Sequence, residues 1–325
     1  MAKWLLIGDP HAVVDELEDC RRLLTGIIEV IRTENPDYVL FMGDQHHNHA
    51  IMHVEVMAFW REAFQRLSKL GPPIYALVGN HDMPGDGASK AHAMMAYDGL
   101  VIVVDQPTRV NGILLMPYKH SNQDFVNDVL ACPNKVVLCH QTFDGGRYEN
   151  GFYAQNGVPL TGLEDRRFIS GHIHTPQSFA NVTYVGAPRW RSLSDVGVNR
   201  ALVLVELEGN QEPKFLKLFD TGKWCEKIVH LVDRQEEPLS VETQPGWKYI
   251  VDVHGDEAFI KARKAAWAGP GIRVRTFKTR VATKQVSESM GIGKALTTFL
   301  EDYRPKYGTD VAILRSMVAQ RLGIS

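Results

Sequence analysis

The sequence predicts an α/β fold of four layers, with two β-sheets packed face to face and helices on the outside. Three observations predict it. Short apolar runs repeatedly end in a glycine followed by polar residues, which is how a buried strand of an open α/β sheet meets a functional loop. Helix-patterned stretches separate the first of these runs, as a right-handed parallel crossover requires. Shorter alternating runs follow later in the chain and suit a second, more antiparallel sheet.

Residues 3–8 form the first expected strand. A long helix follows over 14–32, where Leu17, Leu23, Leu24, Ile27, Ile28 and Ile31 fall at helical spacing. Residues 38–43 give a second buried strand, 53–70 a second helix closed by Gly71-Pro72-Pro73, and 74–78 a third strand. Further strands are expected at 100–104, 113–117, 135–139 and 167–170, with a helix at 123–131. The runs 182–185, 201–207, 214–218 and 227–231 are the ones expected to build the second sheet. The loop 141–165 carries Gly145-Gly146 and little periodicity, and a loop that long in a compact domain is usually functional.

Residues 235–244 hold three glutamates with Pro and Ser and form the expected linker. Beyond it, 249–253, 257–266 and 272–277 have a strand-helix-strand pattern. From Ile292 two apolar stripes follow the spacing of one-faced helices. The expected organisation is therefore a large domain over 1–235, a small α+β domain over 236–285 and a C-terminal helical pair over 286–325.

A length of 325 residues, beyond the usual size of one domain, agrees with that division. Hydrophobic content of 44% against 23% charge supports a sizeable core and argues against disorder. Cys20, Cys132, Cys139 and Cys225 are widely spaced with no CxxC pair, which argues against a disulfide framework or a thiolate zinc site. The apolar run at the start is too short for a signal peptide and no later run approaches membrane-spanning length, so a cytoplasmic protein without membrane association is expected. Residues 246–325 hold 14 Lys and Arg against 7 Asp and Glu, whereas 1–245 hold 22 against 31. The acidic body suits a metal site, and the basic tail suits a polyanion or an acidic partner.

The chemistry sits in five stretches at the ends of expected strands: Asp9-Pro10-His11, Gly43-Asp44-Gln45-His46-His47, Gly79-Asn80-His81-Asp82, Cys139-His140 and Gly171-His172-Ile173-His174. Imidazole and carboxylate ligands without thiolates suit manganese, iron or zinc. Two such ions about 3.5–4 Å apart, sharing one carboxylate, clamp the attacking and leaving oxygens of an in-line displacement at phosphorus. Asp44 is the candidate shared acid. Any one stretch has an ordinary structural explanation, but five in one order over half the chain point to a dinuclear metal site.

The order and spacing of these motifs resemble the calcineurin-like metallophosphoesterases, and among them the SbcD-like DNA repair and recombination nucleases in their short bacteriophage form. The resemblance is strong over 3–195. It implies a metallophosphoesterase core in which Asp9, His11, Asp44 and His174 hold the first metal, and Asp44, Asn80, His140 and His172 the second. It further implies that His81 stabilises or protonates the leaving oxygen, that Asp82 orients His81, and that His47 helps to place the phosphate. His46 and His49 are expected to be solvated and to play no part.

Residues 184–188, followed by Arg189 and Ser192, resemble the segment that approaches the nucleic-acid backbone in these nucleases, and the small domain resembles a reduced capping domain whose Lys278 and Arg280 reach phosphates. The C-terminal pair resembles the segment that grips the coiled-coil base of an SMC-like ATPase. The resemblance thus implies a manganese-dependent 3′ to 5′ exonuclease and single-strand endonuclease of DNA, working as a homodimer with that ATPase in recombination and double-strand-break repair, in the cytoplasm of a bacterial or phage-infected cell. Two other readings stay open: a phosphodiesterase or phosphatase acting on small nucleotides or phosphoesters, and a metal-free scaffold.

Overall fold

The computed structural model describes residues 1–49, 51–85, 89–240 and 242–278. Its first strand, β1 (Ala2–Ile7), explains why two layers of core form on the two sides of one sheet. Side chains alternate along a strand, so Leu5 and Ile7 face the helices on one side while Trp4 and Leu6 face a second sheet on the other. Helix α1 (Leu17–Glu34) is entered through a 3-10 turn at Val14–Glu16 and stops at Asn35, whose left-handed backbone (φ 47°) ends the turn. It buries Leu23, Leu24, Ile27, Ile28 and Ile31 against that outer face. Strand β2 (Tyr38–Phe41), helix α2 (Val54–Leu67), strand β3 (Ile74–Leu77) and strand β4 (Ile102–Val104) complete the first half of the core.

The first sheet runs β12-β11-β1-β2-β3-β4, with β1 to β4 parallel, where β11 is Ala201–Leu207 and β12 is Lys214–Asp220. The second runs β5-β6-β7-β8-β10-β9, from β5 (Thr108–Val110), β6 (Ile113–Met116), β7 (Val136–Cys139), β8 (Arg167–Ser170), β9 (Gln177–Phe179) and β10 (Val182–Tyr184). Between them lies an apolar layer of Trp4, Leu6, Leu40, Leu77, Ile113, Leu138, Ile169 and Val205. Helix α3 (Asn122–Ala131), capped by Ser121, covers the far face of the second sheet through Phe125 and Val129. These are the four layers the sequence predicts.

The assignment of strands to sheets differs from expectation. The later alternating runs do not build the second sheet as a block: only β10 joins it, beside the unexpected β9, whereas β11 and β12 pair antiparallel next to β1 in the first sheet and β13 (Lys227–Arg234) enters a third. Alternation marks a run as a half-buried strand but carries no information about its partner.

The third sheet is parallel throughout, in the order β13-β14-β15, with β14 (Trp247–Gly255), helix α4 (Glu257–Ala266) and β15 (Ile272–Lys278). It has its own small core around Tyr249, Val251, Val253, Ile260 and Trp267. The expected boundary at 235/236 falls inside this unit, because its pairing begins at Lys227 opposite Trp247. The expected linker is a connection within it, tied where Gln235 and Asp256 exchange two hydrogen bonds of 2.8 Å. The expected helical pair over 286–325 lies outside the described residues. Among the described residues no helix is long and apolar enough to cross a membrane.

Candidate metal centre

The carboxyl ends of β1, β2, β3, β7 and β8 converge on one edge of the sandwich and deliver all five motifs there. Asp9 and His11 follow β1, Asp44 follows β2, Asn80 and His81 follow β3, His140 follows β7, and His172 and His174 follow β8. Close backbone approach makes this possible. A side chain at Gly79 would collide with the Asp44 carboxylate, and one at Gly171 would press on Asp9 and His140. His11, Asp44 and His172 hold left-handed φ values of 46°, 52° and 78°. Such strain in non-glycine residues persists only where the surroundings enforce it, and it concentrates at functional sites.

Asp44 lies at the centre, buried, with one oxygen toward each of two donor sets. Its Oδ2 is 3.5 Å from His11 Nε2, which is 2.8 Å from His174 Nε2. Its Oδ1 is 3.3 Å from His140 Nε2, which is 2.9 Å from Asn80 Oδ1 and 3.2 Å from His172 Nδ1. Asn80 Oδ1 is also 2.7 Å from His172 Nδ1. Potential ligand atoms of Asp44, His140 and His172 lie within 4.8 Å of one another, as do those of His11, His47 and His81. Asp9 sits on the side of the second set: its Oδ1 is 3.2 Å from His140 Nδ1 and accepts from the His172 backbone N–H at 3.0 Å.

The donor chemistry fits a cation. Nδ1 of His140 donates to the Met42 carbonyl at 2.8 Å, and a carbonyl can only accept, so Nδ1 carries the hydrogen. The lone pair on Nε2 then faces the oxygens of Asn80 and Asp44, an arrangement that needs a proton or a metal between the groups. Burial favours neutral His140, but the Asp44 and Asp9 carboxylates overcome it and hold its pKa well above the usual range. Burial resists charge on Asp44 too, yet the His140, His11 and His81 imidazoles keep its carboxyl well below the usual carboxylate range. Burial lowers His11 strongly, and burial with the neighbouring His140 takes His172 to about 4, so both present neutral, ligand-competent rings. His11 Nδ1 is buried with no hydrogen-bond partner among the described residues.

The profile of the calcineurin-like phosphoesterases matches residues 2–176, which span β1 through β8 and every stretch that builds this centre. The chain belongs to the calcineurin-like phosphoesterase family. It is 30% identical over 171 residues to "Exonuclease subunit 1" of Enterobacteria phage T4, an overlap of 49% of this chain and 49% of the phage protein. The chain therefore spans about half the length of that relative. Among solved structures it is similar to YfcE, a phosphoesterase from E. coli, at 12% identity and a TM-score of 0.34, over 67% of this chain and 99% of that one.

As a calcineurin-like phosphoesterase it is a hydrolase of phosphoesters, with His and Asp clusters able to hold divalent metals. Around them the structure revises several expectations. Asp82 does not orient His81. Its carboxylate accepts from the backbone N–H groups of Gln45, His46 and Gly79 and meets the His46 ring at 2.8 Å. His46 is buried, not solvated, and its other nitrogen meets the Tyr97 hydroxyl at 2.8 Å. His81 is instead held by its Nδ1, which donates to the His47 carbonyl, and by its backbone N–H, which donates to Asp44 Oδ1 at 2.8 Å.

Arg189 is no surface contact for DNA. It is buried against Asp19 at 3.0 Å and the Pro10 carbonyl at 2.9 Å. Ser192 is spent on a capping box with Asp195. Lys278 ends β15 and pairs with Glu257 at 3.3 Å, and Arg280 lies outside the described residues.

Three contributors were missed in the sequence. Arg191 Nη1 lies 3.0 Å from His47 Nδ1, and its Nε donates to Glu16 at 2.9 Å. Glu149 accepts from the His174 backbone N–H at 2.7 Å. Tyr118 stacks on His172, with ring centroids 5.8 Å apart. Only Glu149 had a signal, the length of the loop that carries it.

Proposed function

We propose that this chain is a metal-dependent DNA nuclease, a 3′ to 5′ exonuclease and single-strand endonuclease that uses two manganese ions. The observation that carries this reading is the buried Asp44 carboxylate, which turns one oxygen to His11 and the other to His140, each in its own donor set. A carboxylate so placed suits a bridge between two cations. The similarity to a phage exonuclease subunit over half the chain favours a nucleic acid over small phosphoesters, and the word "subunit" in that relative's name favours a partner.

By the resemblance Asp9, His11, Asp44 and His174 would hold one ion and Asp44, Asn80, His140 and His172 the other, although in this structure Asp9 lies beside His140 and the His172 backbone. Bound there, divalent cations supply positive charge to the phosphoryl oxygens and acidify the attacking water. The protein's own residues do the rest. His47 contacts a non-bridging oxygen and stabilises charge as it develops. Since Nδ1 of His81 is committed to the His47 carbonyl, its Nε2 is the atom that meets the departing 3′ oxygen, and the doubly protonated ring is the form that donates a proton there.

The remaining functional reading follows the resemblance: a homodimer that joins an SMC-like coiled-coil ATPase through residues 286–325 in recombination and double-strand-break repair. Truncation before Gly291 should abolish co-purification with that ATPase and leave manganese-dependent nuclease activity, and retained binding contradicts the docking. The substrate is tested by digesting single- and double-stranded DNA with manganese, magnesium and no metal beside cyclic nucleotides and aryl phosphoesters. Manganese-dependent release of nucleotides from DNA 3′ ends supports the nuclease, whereas hydrolysis confined to the small substrates favours a phosphodiesterase.

A further inference from the structure

Arg191 stands at the rim of the metal centre with a contact that restricts what His47 can do. Its guanidinium Nη1 lies 3.0 Å from His47 Nδ1. An arginine only donates, so Nδ1 must be the acceptor and its lone pair is used up. The neutral ring then carries its hydrogen on Nε2, and an N–H cannot ligate a metal. This bears on an ambiguity of the centre itself, because the ring nitrogens of His11, His47 and His81 lie close enough together to suggest a third set of ligands. Arg191 removes His47 from that set and leaves it as a hydrogen-bond donor.

The arginine is itself fixed from behind. Its Nε donates to Glu16 Oε2 at 2.9 Å, and the same carboxylate oxygen takes Arg189 Nη2 at 3.2 Å. Its backbone N–H donates to Asp195 Oδ2 at 2.8 Å, and Asp195 in turn pairs with the buried Arg200. The Glu16 contact holds the guanidinium of a side chain only 16% exposed, and the Asp195 contact holds the backbone behind it; neither involves His47. A guanidinium satisfied only by structural partners would point to a fold role. One that also meets an active-site imidazole points to a role in the chemistry.

We infer that Arg191 is a positioning residue that locks His47 as the Nε2–H tautomer, so that His47 donates to a non-bridging oxygen of the scissile phosphate and does not bind metal. The inference deepens the proposed phosphodiester chemistry and rests on that reading for the substrate, whereas the tautomer itself is independent of it.

The test compares wild type with Arg191→Met, which keeps the length and loses the donors, and Arg191→Lys, which keeps one donor. Histidine side-chain 15N shifts of His47, assigned with His47→Gln, report the tautomer in the full chain without added metal. Wild type should show Nδ1 unprotonated and Nε2 protonated, Arg191→Met should show exchange between tautomers, and Arg191→Lys should recover much of the wild-type signature. With manganese, Arg191→Met should lose at least tenfold in kcat with little change in KM, and Arg191→Lys should regain part of it. Metal stoichiometry by elemental analysis should stay at wild-type level. An unchanged His47 signature in Arg191→Met overturns the lock, and so does wild-type kcat in that variant. If wild type cleaves no phosphodiester while the 15N signature moves as expected, the substrate reading fails and the lock stands.

Discussion

The carboxylate of Asp82 meets the ring of His46 at 2.8 Å and makes no bond to its own neighbour, His81. The motif Gly79-Asn80-His81-Asp82 thereby splits between two tasks. Its first polar residues face the metal centre, and its last clamps the loop after β2 through the backbone N–H groups of Gln45 and His46 and the buried His46 imidazole, while a third N–H, from Gly79, ties it to its own loop. Asp82→Asn would place an amide N–H against those donors. It should cost about 1–3 kcal/mol, the penalty of a buried donor left without a partner. Thermal unfolding measures the loss. An Asp82→Asn protein of wild-type stability that selectively lost catalysis would restore Asp82 as the residue that orients His81.

Arg189 predicts a stability defect where the sequence suggested a DNA contact. Arg189→Met leaves Asp19, which is buried beside it, without its main cation. Breaking one partner of a buried pair costs about 3–5 kcal/mol. Denaturant unfolding should show that loss, with DNA affinity per folded molecule unchanged. Wild-type stability with weakened DNA binding would return the residue to the interface.

The third sheet carries an acid-sensitive joint. Asp233 is buried and accepts from Arg263 at 2.5 Å, Trp267 Nε1 at 2.6 Å and the Leu239 backbone N–H at 2.9 Å. Burial resists its charge, but these donors hold its carboxyl below the ordinary value of 3.8. Its stabilisation is therefore complete above that value and is lost as pH falls through the lower folded-state value. The gap in unfolding midpoint between wild type and Asp233→Asn, followed by tryptophan fluorescence, should shrink from pH 5 to pH 3. A constant gap contradicts the assignment.

What was legible in the sequence follows from what a linear pattern can carry. Strand ends and ligand types were visible, because an apolar run that stops at glycine and polar residues records its own position. Partners were not. Nothing in the run at β11 says that it lies beside β1, two hundred residues earlier, and nothing in the run at β13 says that it starts a third sheet. Arg189 and Arg191 look alike in sequence, yet one is buried on Asp19 and the other turns to His47, a difference set by the bend that leads into the 3-10 turn at Leu193–Asp195. His46 and His47 show the same limit: neighbouring side chains point opposite ways, and only the packing of Tyr97 reveals which is interior.

In the proposed chemistry Asp44 would bridge two metals, while His81 would serve the leaving group without binding either. Elemental analysis of manganese-reconstituted wild type, Asp44→Ala and His81→Ala, run beside a DNA digestion assay, tests it most directly. Two ions per wild-type chain, loss of bound metal in Asp44→Ala, and two retained ions with most turnover lost in His81→Ala are the predicted results. A fully active His81→Ala protein would remove His81 from the chemistry, and an Asp44→Ala protein that keeps both ions would remove Asp44 as the shared ligand.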